Sequence, residues 1–157
     1  MKKLLVLTMV LASFVSYGQR SKTTIGFMGG FGLNSSISAN YGLWADFGKW
    51  GGSFTNGASV SNEDPTAYIY GNASKYTAGS SYYNIGVHKN GVFNNENVFA
   101  GGGIQRITDI TTNGFEEGKT LPYVNVGIKK EILYGVVRAE VIVAKIPSIG
   151  IGWGFNF

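Results

Sequence analysis

The side chain with the widest chemical range in this sequence is His88, the only histidine among 157 residues. A histidine can take a proton from a serine hydroxyl when a carboxylate orients the ring. Ser80 and Ser81 precede His88 in a stretch that alternates like a β-strand. At a rise of about 3.3 Å per residue, Ser80 would lie more than about 20 Å from His88, so a nucleophile would have to come from a neighbouring strand. We therefore interpret His88 as an ordinary interfacial histidine near a strand end and predict no catalytic residue.

A second group of charged side chains lies on strand faces that alternation assigns to an interior. Arg138 and Glu140 share one face of the segment 134–144, and Asp46 is opposite an apolar column. Buried charges are tolerated when they are paired, so we predict interior ion pairs that involve these three residues. The further cross-strand candidates are Arg106 and Lys129. A polar conduit is the alternative, but the interior of a small barrel is just wide enough for side chains to fill, which favours a plug.

No cofactor or metal site is predicted. The sequence contains no cysteine, so disulfides and thiolate ligands are excluded. The carboxylates at 62–64 and 116–117 lack the spacing of a calcium loop, and the glycines at 101–103 lack the context of a phosphate loop. The formal net charge of +4 falls to +2 without Lys2 and Lys3. So small a charge argues against a nucleic-acid partner.

The segment 148–157 shows most clearly what kind of element positions these side chains. Its even positions carry serine, glycine or asparagine, and its odd positions carry Ile149, Ile151, Trp153, Phe155 and Phe157. Strict alternation predicts a β-strand. Glycine weakens a strand, so a soluble sheet gives no reason for a glycine column. A strand with its large face in lipid and its small face in a crowded barrel interior explains both columns.

The rest of the chain repeats this pattern. Eight alternating segments of about ten residues suit transmembrane β-strands. They are 23–33, 37–48, 53–61, 75–88, 97–108, 122–132, 134–144 and 148–157. Eight such strands predict an all-β, antiparallel, up-and-down transmembrane barrel, because closure removes exposed edges. Ten strands is the alternative, if 67–70 and 92–93 each form one. The predicted outer loops are 34–37, 61–75, 109–121 and 145–147, and the predicted short turns are 49–52, 89–96 and the region near 133.

The amino-terminal segment has the features of a secretory signal peptide. Lys2 and Lys3 precede an apolar run at 4–15, and small residues, Ser16 and Gly18, occupy the −3 and −1 positions. The apolar run is shorter than the roughly 20 residues that a spanning helix needs. We predict a signal peptide at 1–18, cleaved after Gly18, and a barrel domain at 19–157.

Taken together, these features resemble small bacterial outer-membrane β-barrels of the OmpA-like transmembrane type, and the end of the signal peptide is similar to those of Bacteroidetes. The most specific part of the resemblance is the terminal Trp153-x-Phe155-x-Phe157. In that family the last strand is read by the barrel assembly machinery, which implies the same role for these three aromatic residues. The resemblance also implies an outer-membrane location and contact with outer-membrane lipid.

The resemblance and the residues leave three hypotheses for function. The first is a non-enzymatic barrel with a plugged polar interior and a structural or interaction role through its extracellular loops. The second is a lipid A-modifying barrel enzyme, which requires a serine and a carboxylate within hydrogen-bond reach of His88. The third is a soluble periplasmic ligand-binding barrel similar to lipocalins, which requires Ile149, Trp153 and Phe155 to point inward. We favour the first.

Overall fold

The computed structural model describes residues 22–33, 37–60, 77–111, 114–115, 118–133 and 135–157. The predicted signal peptide lies outside these ranges. Within them the strands are β1 (Thr23–Gly32), β2 (Ile37–Phe47), β3 (Trp50–Val60), β4 (Thr77–Asn90), β5 (Val98–Thr111), β6 (Gly114–Phe115), β7 (Lys119–Ile132), β8 (Gly135–Val143) and β9 (Ser148–Asn156). A short 3₁₀ turn covers Val92–Asn94. None of the helices in these ranges has the length and apolar character to cross a membrane.

Eight of these strands form a closed antiparallel barrel. Each long strand pairs with the long strands before and after it in the chain, and β9 pairs with β1 to close the ring. β6 is two residues long and pairs with the end of β5. The prediction of an eight-stranded up-and-down barrel is confirmed. The ten-stranded alternative is wrong, because β3 pairs directly with β4 and Val92–Asn94 is a 3₁₀ turn; the other candidate, 67–70, lies outside the described residues.

The two ends of the barrel differ in their connections. We call the end with the connections 48–49, 91–97 and 133–134 the turn end, and β1 begins and β9 finishes there as well. We call the opposite end, with the connections 33–36, 61–76, 112–118 and 144–147, the loop end. The alternation of short turns and loops predicted from the sequence agrees with this division.

Several predicted boundaries need correction. The turn placed at 49–52 is the pair Gly48–Lys49, because Gly48 adopts the left-handed φ of 63° that a tight hairpin requires, and β3 already begins at Trp50. Strand β4 continues through Asn90, and Gly91 starts the next turn with a φ of 72°. The polar loop predicted at 109–121 is shorter than expected, since β5 runs to Thr111 and β7 begins at Lys119.

Side chains that point away from the barrel axis are large and apolar. Phe27 in β1 is 58% exposed and Ile151 in β9 is 62% exposed, while the residues immediately before and after each of them are buried. The outward columns of the other long strands also carry exposed leucine, isoleucine, valine and aromatic residues. The face assignment made from alternation is confirmed for these strands, including the outward position of Phe155.

Side chains that point inward are mostly polar, with two small apolar clusters among them. Met28, Trp44 and Val136 form one cluster. Tyr82 and Ile107 form the other, together with Ile146 from the β8–β9 connection. The buried polar residues are Thr24, Ser38, Asn40, Asp46, Thr55, Ser59, Asn84, His88, Asn90, Gln105, Thr111, Asn125, Arg138, Glu140 and Ser148. The barrel therefore has an apolar outside and a polar inside.

Candidate functional site: the barrel interior

Strand β8 carries two charges into the interior. Its burial alternates, so Arg138 is 0% exposed and Glu140 is 2% exposed. The Arg138 Nη2 donates to Glu140 Oε2 at 2.6 Å. From β7, Asn125 Nδ2 donates to the same carboxylate oxygen at 3.2 Å. The carboxylate thus receives two hydrogen bonds, one from a charged donor, which offsets part of the cost of removing it from water.

Asp46 on β2 is held by two cations or potential cations on other strands. The Lys129 Nζ donates to Asp46 Oδ2 at 2.7 Å, and His88 Nε2 lies 2.7 Å from Asp46 Oδ1. Arg138 Nη1 lies 3.2 Å from His88 Nε2 and so joins this group to the Arg138–Glu140 pair. We call the six residues of the two groups (Asp46, His88, Asn125, Lys129, Arg138 and Glu140) the ion cluster. Strands β2, β4, β7 and β8 all contribute to it.

The contacts of His88 bear on the serine chemistry that its presence suggested. Nε2 lies between Asp46 Oδ1 and Arg138 Nη1, so it donates to Asp46 when it carries a hydrogen and accepts from Arg138 when it does not. The other ring nitrogen, Nδ1, is buried, and no hydrogen-bond partner for it exists among the residues that the structure describes. His88 therefore has a carboxylate beside it but no hydroxyl from that part of the chain. Ser80 instead donates to Asp109 at 2.7 Å. The interfacial position predicted for His88 is wrong, because its side chain points into the barrel and is 1% exposed.

Aromatic rings and glycines frame the ion cluster. The Arg138 guanidinium lies 3.9 Å from the Phe99 ring centroid and 5.2 Å from that of Trp44, so two aromatic faces add cation–π attraction. A Cβ at Gly51 would meet the Asp46 carboxylate and the His88 ring, and one at Gly127 would meet the Phe99 ring. The inward glycines therefore supply the volume that the charged and aromatic side chains occupy.

Neutral groups fill the interior nearer the loop end. Asn84 donates to Thr55 at 2.9 Å, and Gln105 donates to Asn84 at 3.0 Å. Gln105 also makes a reciprocal pair with the backbone of Ile146, donating to its carbonyl at 3.1 Å and accepting from its N–H at 3.0 Å. These bonds draw the 144–147 connection inward, and Ile146 packs with Tyr82 and Ile107. We call Gln105, Ile146, Tyr82 and Ile107 the loop-end cap.

The turn end holds an open basin, which we call the turn-end mouth. It has a volume of about 850 Å³. Its lining comes from β1, β2, β4, β7 and β8, from Lys22 before β1, and from the turns at 48–49 and 91–97. The residues are Lys22, Thr24, Asp46, Gly48, Lys49, Lys89, Asn90, Gly91, Glu96, Asn97, Lys129, Lys130, Glu131 and Val136. Because Asp46 and Lys129 belong to both groups, the ion cluster adjoins the mouth.

The structure places the residues singled out from the sequence in different surroundings. Asp46, Arg138 and Glu140 are inside the barrel in the ion cluster, and Lys129 joins them. Arg106 is exposed and faces outward, because its neighbours Gln105 and Ile107 face inward. In the terminal strand, Trp153 is half-buried and Phe155 is 50% exposed, and Phe157, directly after the strand, is 76% exposed.

Sequence reasoning missed Asn125, Gln105, Phe99 and Ile146. The inward parity of Asn125 and Gln105 was available from alternation, since each lies between outward-facing neighbours. No sequence signal places Ile146 inside, because it lies in a connection whose path depends on the bonds to Gln105. Among the residues in the described ranges, no group of three or more histidine or acidic side chains could hold a metal ion.

Comparisons with known proteins concern the fold. No protein-family model matches the sequence, and no curated protein matches it. A matching solved structure is the attachment invasion locus protein Ail of Yersinia pestis in complex with the heparin analogue sucrose octasulfate; identity is 15%, the match covers 87% of this chain and 97% of Ail, and the TM-score is 0.48. Another, from the de novo design of transmembrane β-barrels, has 10% identity, covers 87% of this chain and 96% of the other, and has a TM-score of 0.42. At sequence identities this low, neither comparison shows what this chain does.

Proposed function

We propose that this protein is a non-enzymatic integral outer-membrane β-barrel with a plugged interior and an interaction role through its loop end. The observation that carries the proposal is the exposed apolar exterior. Outward residues on β1, β4, β7 and β9 include Phe27, Val87, Ile128 and Ile151, which are 58%, 64%, 60% and 62% exposed. An apolar surface that continues around a barrel is stable when lipid covers it.

The distribution of polar groups argues against a soluble ligand-binding barrel. Such a barrel requires Ile149, Trp153 and Phe155 to point inward, and none of them is buried. Its interior would also be apolar, whereas here Arg138 and Glu140 are fully enclosed. Buried charges cost free energy whether water or lipid surrounds the barrel. A polar interior combined with a lipid-facing apolar exterior is nevertheless the arrangement found in membrane barrels.

The contents of the interior support a plug more than a conduit. The ion cluster crosses the barrel from β2 to β8, and the Arg138 side chain packs on Phe99 and Trp44 without exposure to solvent. Nearer the loop end, the loop-end cap adds a second obstruction in which Ile146 is 5% exposed. A barrel filled in this way supplies a scaffold, and the function of a scaffold depends on its loops and surface.

The partners expected from the sequence are part of the proposal. The last strand pairs with β1 through Thr24–Asn156 and the positions that follow, so it closes the ring. Trp153 and Phe155 lie in that strand and Phe157 follows its last residue. These three aromatic residues are the ones that we propose the assembly machinery recognises. Outer-membrane lipid is the proposed contact of the exterior. The loops predicted at 61–75 and 109–121, which the strand bounds limit to the connections 61–76 and 112–118, are the proposed contact surfaces for extracellular partners.

Cell fractionation with gel electrophoresis of unboiled and boiled samples tests this function. We expect the protein in the outer-membrane fraction, with a mobility that changes on boiling because a closed barrel resists detergent at room temperature. Intact mass should place the amino-terminus of the membrane form at Gln19. Recovery in the periplasm without detergent would contradict the membrane location.

An activity assay on the purified barrel tests the alternative, a lipid A-modifying enzyme. Hydrolysis or transfer of lipid A acyl chains that is lost in a His88→Ala variant would support that alternative.

A further inference from the structure

The turn-end mouth carries more positive than negative charge. Five lysines and three carboxylates line it. Two of the lysines have acidic partners: Lys22 pairs with Glu131 at 2.5 Å, and Lys129 pairs with Asp46 at 2.7 Å. The remaining lysines of the mouth are Lys49, Lys89 and Lys130, and its remaining carboxylate is Glu96. In the described part of the chain none of these three lysines has an ion pair, so the mouth has a surplus of cations.

Asn90 fixes two of these lysines relative to each other. Its backbone N–H donates to the Lys49 carbonyl at 2.8 Å, and its side-chain Nδ2 donates to the Gly48 carbonyl at 3.0 Å. Lys89 precedes it in the chain and pairs in register with Trp50, the residue after Lys49. The backbones of Lys49 and Lys89 are therefore held side by side at the rim of the same basin.

The side-chain oxygen of Asn90 accepts no hydrogen bond from the described residues. Asn90 is 8% exposed, it lines the mouth, and its Oδ1 is buried with no hydrogen-bond partner among the described residues. A buried carbonyl oxygen without a donor costs free energy, and a ligand that brings a hydroxyl would remove that cost. The mouth thus combines cations with a neutral acceptor at one place.

We propose that the turn-end mouth binds a phosphate group that carries a neighbouring hydroxyl, as in a phosphoglycerol group. Lys49 and Lys89 neutralise the phosphate, since a lysine ammonium binds phosphate as a point charge. Lys89 leaves β4 on the outward column, between the buried His88 and Asn90, so its ammonium reaches the basin over the rim on its flexible stem. Asn90 Oδ1 accepts from the hydroxyl. Lys130 raises the positive potential of the basin without a direct role.

A phosphate group with a neighbouring hydroxyl occurs in two kinds of ligand, a soluble phosphate ester and the headgroup of a phospholipid. Binding of the soluble ester needs only the folded barrel, so this site and the proposed membrane function can fail separately. Binding of the lipid headgroup would in addition place the turn end at the level of the lipid phosphates.

The test is a titration of the refolded full chain in a detergent without phosphate, followed by amide chemical shifts. The soluble arm uses inorganic phosphate and glycerol 3-phosphate, and the lipid arm uses short-chain phosphatidylglycerol. We expect saturable shifts at 48–49 and 89–91 in at least one arm. Where the soluble arm saturates, glycerol 3-phosphate should bind more tightly than inorganic phosphate. Saturation by glycerol 3-phosphate identifies a soluble ester, and saturation by the lipid alone identifies the headgroup. No saturable shift in either arm would overturn the site.

A pair of matched variants separates the site from bulk charge. Lys49→Gln/Lys89→Gln should weaken binding about tenfold or more, because two charge-assisted contacts are lost. Lys119→Gln/Lys145→Gln removes the same charge from exposed positions outside the mouth and should change binding less than about twofold. Equal loss in both variants would overturn the proposal. Asn90→Ala should abolish the preference for glycerol 3-phosphate, and an unchanged preference would contradict the role of Oδ1.

Discussion

The interior of the barrel solves the same packing problem in two ways. In the half nearer the turn end, Asp46, Lys129, Arg138 and Glu140 are charged and pair across strands. In the half nearer the loop end, Asn84, Thr55 and Gln105 are neutral, and a backbone segment completes their hydrogen bonds. Each charge in the first half loses hydration that only its partner can replace, whereas each neutral bond in the second half is individually weaker. The two halves should therefore respond differently to the loss of one member.

The largest expected effect is in the ion cluster. Arg138→Met leaves the Glu140 carboxylate buried without its cation, and we expect the free energy of unfolding to fall by about 3–5 kcal/mol. The double variant Arg138→Met/Glu140→Leu removes both charges and should recover most of that loss, since apolar pairs can replace buried ion pairs. Urea unfolding in lipid vesicles measures both. A double variant as unstable as the single one would show that charge pairing is not the source of the loss.

The glycines around the ion cluster should be the next most sensitive positions. Gly51→Ala places a methyl group against the Asp46 carboxylate and the His88 ring, and overpacking of this kind costs about 1–3 kcal/mol. Gly29→Ala is the matched control, because its Cβ faces outward and has only an ordinary contact at 3.8 Å. Thermal unfolding of the two variants distinguishes them. Equal midpoints would mean that the turn-end half is not closely packed.

A substitution in the loop-end half should lower the free energy of unfolding less than one in the ion cluster, and its main effect should be on local order. Gln105→Ala leaves the Ile146 N–H and carbonyl without their side-chain partner, at a cost of about 1–3 kcal/mol for groups that stay buried. Because the connection can turn toward water, we expect most of the effect as faster hydrogen exchange at the Ile146 amide. Arg106→Ala, at the exposed neighbouring position, should leave that exchange unchanged. Unaltered exchange in Gln105→Ala would show that the cap does not depend on this residue.

The smallest effect should come from an ion pair at the turn end that water reaches. Lys22 and Glu131 form a pair at 2.5 Å, but their side chains are 51% and 63% exposed. Lys22→Gln should change the free energy of unfolding by less than about 1 kcal/mol, and added salt should reduce the difference further. Measuring unfolding at low and high salt checks this. A loss as large as that of Arg138→Met would remove the contrast between buried and exposed pairs.

The sequence predicts the strand number and the faces of the strands, but it does not predict which side chains meet across strands. Period-two alternation determines which side of a strand each residue faces, so the faces of Arg138, Glu140 and Ile151 followed from their spacing. Strand number followed from eight separated alternating segments. Alternation does not give cross-strand register, so the approach of Lys129 to Asp46 could be named only as one candidate, and Arg106 was an equal candidate although it faces outward.

Other errors came from connections. The sequence predicts the turn between β2 and β3 at 49–52, because glycines such as Gly51 and Gly52 are typical of turns. Both lie in β3, and the turn is the pair Gly48–Lys49. Gly51 is there to leave room for the Asp46 carboxylate, a reason that depends on a contact between strands. Ile146 is buried only through its bonds to Gln105, which lies 41 positions earlier in the chain. Such features depend on tertiary packing, and local patterns do not record it.

The central claim is that lipid covers the outward columns, and site-directed spin labelling tests it most directly. The chain contains no cysteine, so Val126→Cys, Ile151→Cys and Asn95→Cys each give a single labelling site. In vesicles, labels at Val126 and Ile151 should collide with oxygen, which dissolves in lipid, and be protected from a water-soluble nickel complex. The label at Asn95, in the exposed 91–97 turn, should show the reverse. Access of the nickel complex to all three labels would contradict the account.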